Sequence, residues 1–191
     1  MGCDIHSFVM VPSGNAGLYK PLVGYVYGNR YKYWRTVQPY DDRYYEMYGL
    51  LTAGGCRGGD YTDLGINPHV GRFNKTLVDP TTIDPKLIPD NSSSEETPHT
   101  FNTIAIDYFN EDNVAGWHTH GWVSLADLKR FKRRITRNMN NESLDIEQRG
   151  ELIYLKNGIK KIITNTKAIV NYNWEDDVDD DHVIVCFCFD S

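Results

Sequence analysis

Two histidines separated by one residue form the sharpest chemical pattern in the sequence. His118 and His120 lie in the segment GWHTHGW, and in extended backbone both side chains of such a pair face the same way. Two imidazoles on one face can bind one metal ion, or they can act as acid and base around one phosphate. The alternative is structural, in which the two rings only make capping and turn hydrogen bonds.

A carboxylate and a histidine near the start of the chain offer a second candidate pair. Asp4 and His6 lie in MGCDIHSFVMV, and the two-residue period of a strand puts them on one face together with Phe8. A carboxylate that orients an imidazole is common in catalytic and metal-binding sites. The same two side chains could instead form a buried ion pair with no further role.

Other side chains could complete a pocket for an anion. A helix beginning near Ser124 would offer free backbone N–H groups and the positive end of its dipole. Arg57, in the glycine-rich stretch TAGGCRGGDYTDLG, could hold a phosphate with its guanidinium group. This stretch lacks the G-K-[ST] of a P-loop, so an ATPase is not expected. The remaining candidates for ligand contact are Arg43, Trp117, Thr119 and Trp122. Either of the two tryptophans could stack on a base.

Composition and charge fit a folded domain and disfavour one class of partner. The 191 residues, 40% of them hydrophobic and 24% charged, predict a single domain over residues 1–191 with its own core. A formal charge of −6 disfavours bulk nucleic acid as a partner, because duplex-binding proteins usually carry a basic surplus. The basic stretch LKRFKRRITR (128–137) is either a solvated helix face or a rim that attracts an anionic ligand.

The sequence predicts a cytoplasmic protein that makes no contact with membranes. No apolar run is long enough for a transmembrane helix or a signal peptide, and His6 occupies the position where a myristoylation signal has Ser or Thr. Thirteen tyrosines suit interfaces as well as cores, which leaves a homo-oligomer open. No C-x-x-C pair is present, so a zinc knuckle is not expected and all four cysteines should be reduced thiols: Cys3, Cys56, Cys186 and Cys188.

Strands are expected at both ends of the chain and helices mainly between them. Strands are predicted at residues 3–11, at residues 101–108 and in the apolar end HVIVCFCFDS. A tyrosine-rich hairpin is predicted at residues 22–38, with Gly28-Asn29 at its turn. Helices are predicted at 41–51, from Ser124 onwards after a turn at GWHTHGW, and over 144–166. In the last of these, Asn157-Gly158 leaves a hairpin as the alternative.

These elements predict an α+β fold. The sheet is expected to be mostly antiparallel or mixed, to include both terminal strands as neighbours, and to carry about three helices packed on it. A long polar loop is expected around residues 66–100, and the acidic stretch WEDDVDDDH (174–182) is expected to be a solvated turn. Pairing of the terminal strands would keep Asp4 and His6 from fraying.

In several of these segments the chain resembles a group of small phage-encoded proteins that begin with MGCDIH. Their helix resembles R-N-Y-x-L-F-x-x-L-A-G-V-R-N, their central block H-S-H-S-W-L-T-L-E-E-L and their final strand V-R-I-V-F-W-F-D-N. The matching stretches here are MGCDIH, RYYEMYGLLTAGGCRGG, HTHGWVSLADL and HVIVCFCFDS, about a third of the chain. The chain departs from the group at Met10, where a glutamate is expected, and at Ser191, where the group has asparagine.

The resemblance implies a phage origin and action in the host cytoplasm, but it supplies no reaction. The first functional hypothesis is an accessory, counter-defence protein that binds a phosphorylated nucleotide-type molecule. The protein could also cleave this molecule as a phosphodiesterase, and no cofactor is expected. The second is a hydrolase in which a divalent metal is bound by Asp4, His6, His118 and His120. The third is an interaction protein that binds a host protein and no small ligand.

Overall fold

A four-stranded antiparallel sheet, extended at one edge by a two-residue strand, forms the centre of the protein. The computed structural model describes residues 5–22, 24–27, 32–35, 39–40, 47, 71–72, 79, 82, 118–173, 175 and 177–189. The strands of this sheet are β1 (Ile5–Pro12), β2 (Tyr19–Pro21), β5 (Gly71–Arg72), β6 (His118–Ser124) and β7 (Ile184–Phe189), in the order β2-β1-β7-β6-β5. A separate hairpin consists of β3 (Gly24–Tyr27) and β4 (Lys32–Arg35), and the helices are α1 (Leu125–Asn138) and α2 (Ile146–Tyr172).

The two terminal strands pair along their length, as the sequence predicts. β1 and β7 are antiparallel neighbours, in register from Ile5 opposite Phe189 to Met10 opposite Ile184. The four residues of β1 from Phe8 to Val11 are each 0% exposed. Both faces of this strand are therefore covered, which explains why its sequence is a continuous apolar run.

Helix α1 begins at the predicted position and packs on the sheet through its apolar stripe. Ser124 is its N-cap, and the Ser124 side chain accepts a hydrogen bond from the backbone N–H of Asp127. The spacing of three to four residues along one face matches an amphipathic helix. The buried side chains on this face are Leu125, Leu128, Phe131 and Ile135.

Helix α2 settles the choice between helix and hairpin for the segment 144–166. It starts at a capping box in which Asp145 and Gln148 exchange side chain–backbone hydrogen bonds, and it runs to Tyr172, six residues beyond the predicted end. Gly158 serves packing here and not a turn, because a Cβ atom at this position would lie 2.5 Å from Cε of Met47. The glycine thus lets Met47 pack directly on the backbone of the helix.

The main core lies between the helices and one face of the sheet. Val123, Val185 and Phe187 contribute from the sheet, together with Leu128, Phe131, Ile135, Leu152, Leu155, Ile159 and Ile162 from the helices. Tyr40 joins this cluster and is tied to β1 by two hydrogen bonds: Ser7 Oγ donates to the Tyr40 carbonyl oxygen at 2.8 Å, and Tyr40 N donates to Ser7 Oγ at 3.3 Å. Cys186, also buried, is a free thiol as predicted.

The other predicted elements have different outcomes. The hairpin expected within 22–38 is confirmed over residues 24–35 by the pairing of β3 with β4, and its predicted turn at Gly28-Asn29 lies outside the described residues. Residues 177–182 form the predicted acidic turn. GWHTHGW was expected to be a turn, and this is wrong from residue 118 onwards, because these residues form β6 and pair with β7. The helix at 41–51 lies outside the described residues except for Met47, which is helical, and the strand at 101–108 lies wholly outside them.

The expected polar loop at 66–100 is described at four positions, and three of them contact the sheet, while Thr82 donates hydrogen bonds to the Asp79 carbonyl. Gly71 and Arg72 form β5 beside β6. Asp79 is 2% exposed; its N–H donates to the Tyr19 carbonyl, and its carboxylate accepts from Nδ2 of Asn15 at 2.7 Å. At these positions the segment therefore belongs to the packed structure. Among the described residues, no helix has the length and apolar character needed to cross a bilayer.

Replacing Ile159 with Ala should destabilise the fold by about 2–5 kcal/mol, because it leaves a cavity in the main core, where Ile159 is 0% exposed. The matched control is Ile153→Ala in the same helix, at a side chain that is 47% exposed, with an expected change within about 0.5 kcal/mol. Urea denaturation of both variants measures the difference. Equal losses would contradict the packing of α2 described here.

Candidate functional site

Backbone pairing brings two of the predicted histidine positions to one end of the sheet. His6 on β1 pairs with Cys188, and His118 on β6 pairs with the next residue of β7, Phe189. The two histidines therefore belong to strands that flank the same strand. Because neighbouring strands lie about 4.8 Å apart, the backbones at these two positions are separated by roughly 10 Å.

The histidine segment of β6 contains an irregularity in its pairing. His118 is opposite Phe189 and Gly121 is opposite Phe187, so one extra residue of β6 is accommodated between these pairs. Such a bulge bends the strand and is common next to functional sites. It also interrupts strict alternation, which was the basis for expecting His118 and His120 to face the same way. The spacing alone therefore does not establish that the two imidazoles share a face.

The other candidate residues divide into three groups. Thr119 and His120 lie within the irregular part of β6. Trp122 is half-buried on the same strand, between Gly71 of β5 and Cys186 of β7. Four candidates lie outside the described residues: Asp4, Arg43, Arg57 and Trp117.

The backbone N–H groups expected to bind an anion at the start of α1 already have acceptors within the protein. The N–H of Leu125 donates to the Val183 carbonyl at 2.8 Å, and the N–H of Ala126 donates to the Asp180 carbonyl at 3.1 Å. The N–H of Asp127 donates to Ser124 Oγ, also at 3.1 Å. Ser124 is thus a helix cap, and these N–H groups are not available to a ligand.

Carboxylates surround the same helix start and make it still less suited to an anion. Asp180 forms a salt bridge with Lys129. Arg130 contacts the Asp127 carboxylate at 2.8 Å and that of Asp181 at 3.3 Å. The hydrogen bonds that Arg130 donates to the Asp127 carboxylate are the main cause that raises the pKa of Arg130 above its usual value. The acidic turn, expected only to be solvated, therefore also caps and neutralises the first turns of α1.

Some cations of the basic stretch 128–137 lie on an exposed face of α1, and others line a groove. Arg130, Arg134 and Arg137 are exposed. Lys129, Lys132 and Arg133 line a groove of about 550 Å³ between α1 and α2, together with Thr136, Ile163, Thr164 and Lys167. This groove was not predicted, because it requires knowing which faces of the two helices meet.

No cluster of three or more His, Cys, Asp or Glu side chains suited to a metal ion occurs within the part of the chain that the structure describes. Asp4, one of the four proposed ligands, lies outside that part.

Ser124→Ala should destabilise the protein by about 1 kcal/mol, because the N–H of Asp127 loses its acceptor. Ser124→Thr keeps a hydroxyl at the same position and is expected to retain most of the stability. Chemical denaturation of the two variants tests the capping role. If Ser124→Ala left stability unchanged, the hydroxyl would have to serve another purpose, such as contact with a ligand.

No protein-family model, curated protein or solved structure matches the chain.

Proposed function

We propose that the protein is a phage accessory protein, acting in counter-defence, that binds a phosphorylated nucleotide-type molecule in the host cytoplasm. The observation that carries this proposal is the pairing of His6 and His118 with adjacent residues on the two sides of β7. Residues 112 positions apart in the chain thus come to one end of the sheet. The phage origin rests on the sequence resemblance alone.

His6 is opposite Cys188 and His118 is opposite Phe189, and adjacent residues of a strand alternate between faces, so the register places the two histidines on different faces at one end of the sheet. With a backbone separation of roughly 10 Å, a phosphate that contacts both imidazoles would therefore lie over that end of the sheet. An imidazole with a pKa near 6.5 can be either a hydrogen-bond acceptor or a cationic donor at neutral pH. His120, Asp4 and Arg57 are the residues proposed to complete the pocket, with Trp117 or Trp122 stacking on the base and Arg43, Thr119 and Ser124 at its edge.

Ser124 is the weakest member of this set. Its hydroxyl is already used in capping, since it accepts from the N–H of Asp127 and lies 3.1 Å from the Asp127 carboxylate. Binding is better supported than turnover, because no nucleophile with its base and orienting group can be identified. If cleavage occurs, one imidazole would take the proton from the attacking hydroxyl or water and the other would protonate the leaving oxygen of the phosphodiester.

A thermal-shift panel of cyclic and linear nucleotides, with and without chelator, tests the proposal. A ligand present at about 100 times its Kd stabilises the native state by about 2.7 kcal/mol. For a chain of 191 residues, this corresponds to a rise in Tm of roughly 5–10 °C. The shift should be lost in His118→Ala and kept in His182→Ala, which removes an exposed histidine from the acidic turn.

Each other outcome points to a different function. Stabilisation by a divalent metal alone, lost with chelator, would favour the hydrolase with Asp4, His6, His118 and His120 as ligands. A shift that persists in His118→Ala would place the ligand elsewhere. No shift with any nucleotide or metal would overturn the proposal and leave an interaction protein as the remaining candidate.

A further inference from the structure

The positive and negative charges of this protein are unevenly distributed along its sequence. Its net charge is negative, but two segments carry only positive charges. Residues 128–141 and 152–174 contain ten of the twenty Lys and Arg residues and no Asp or Glu. The rest of the chain carries the other ten cations and all 26 carboxylates. Both cationic segments belong to α1 and α2 and the residues next to them. At an ionic strength of 0.1 M the Debye length is about 10 Å, so a ligand on these helices is affected mainly by the local charges.

The cations form a line along the groove where α1 meets α2, which we call the helix seam. On the α1 side the seam has Lys129, Lys132 and Arg133, and on the α2 side Lys167. Lys156 and Lys160 extend it, because spacings of three, four and seven residues place them on the same side of α2 as Ile163 and Lys167. From Lys156 to Lys167 the helix advances by about 16 Å.

Most of these cations are not neutralised within the described structure. Lys129 is paired with Asp180 at one end of the seam. No described carboxylate pairs with the four residues Lys132, Arg133, Lys156 and Lys160. Lys160 and Arg133 are exposed, and Lys132 and Lys156 are partly so. The four cations without a described carboxylate partner repel one another, and a polyanion laid along them would relieve that repulsion.

We propose that the helix seam binds the sugar-phosphate backbone of nucleic acid without reading its sequence. A strand of B-form geometry presents one phosphate per about 3.4 Å, so a row of roughly 16 Å faces about five phosphates. Lysines predominate in the row, and a lysine acts as a point charge, which suits backbone binding more than recognition of base edges.

Two further features of the groove favour this partner over an acidic peptide. Helices and peptides that dock in grooves rely on several apolar anchors, whereas Ile163 is the one apolar side chain lining this groove among the described residues. The hydroxyl of Thr136 donates to the Lys132 carbonyl at 2.9 Å, which leaves the charged groups as the main donors. The net charge of −6, which disfavoured nucleic acid from the sequence alone, is a sum over the whole chain, whereas the segments 128–141 and 152–174 that border the groove contain no Asp or Glu.

The test is the fluorescence anisotropy of a labelled 20-nucleotide single strand and of its duplex, titrated with protein between 50 and 200 mM NaCl. Binding should weaken with salt, and the logarithmic slope for the single strand should be about −0.7 per phosphate contacted. Lys132→Glu combined with Lys167→Glu should weaken binding at 100 mM salt at least about tenfold, and it should reduce the magnitude of the slope by roughly 1.4.

The matched control is Arg134→Glu combined with Arg149→Glu, which changes the net charge equally at two exposed residues that do not line the groove. It should weaken binding less than about threefold, as expected for a change in overall charge alone. Lys132→Gln combined with Lys167→Gln should give a smaller loss than the Glu pair, and circular dichroism shows whether each variant is folded. His118→Ala should leave this binding unchanged, which separates the helix seam from the proposed nucleotide pocket.

Three results would overturn the proposal. The first is the absence of binding to both nucleic acids at 50 mM salt. The second is an equal loss in the control pair, which would show that the seam has no special role. The third is equally tight binding of a poly-glutamate peptide of matched charge, which would indicate an acidic protein as the partner.

Discussion

The pairing of β1 with β7 is the constraint on which the rest of the described structure depends. It joins residues near the two ends of the chain, and it gives the sheet a central strand pair that is covered on both faces. β6 aligns on β7, and α1 follows β6 without an intervening loop. The end of the sheet that carries His6 and His118 exists only because both flanking strands are in register with β7.

Pairing β1 with β7, which are far apart in the sequence, slows folding more than it lowers stability. The entropy of loop closure grows only with the logarithm of loop length, so the stability lost by pairing distant residues is modest. Folding rates, in contrast, fall as contacts become more distant in sequence. The contacts within α1 and α2 and at their caps are local, and we expect them to form before the distant strand pairs of the sheet. The buried side chains of both helices then cover one face of that sheet.

Features that depend on near neighbours could be predicted from the sequence. The cap at Ser124, the apolar stripe of α1 and the strand character of both chain ends follow from spacing and residue type. Features that depend on distant contacts could not. Asn157-Gly158 looks like a turn until Met47 is seen to pack against Gly158. The start of α1 looks like an anion site until Val183 and Asp180 are seen to accept its N–H bonds.

The burial of β1 on both faces also has a consequence for biosynthesis. β1 is made about 170 residues before β7, and at a translation rate of about 5–20 residues per second this interval lasts roughly 9–34 s. During that time the run Phe8-Val-Met-Val11 has no strand to pair with on its β7 side. Such short apolar segments of high β-propensity are prone to pair with other chains. Until β7 is made, β1 therefore lacks its neighbour on that side, and the yield of the protein in the cell should depend on what shields β1 on or near the ribosome.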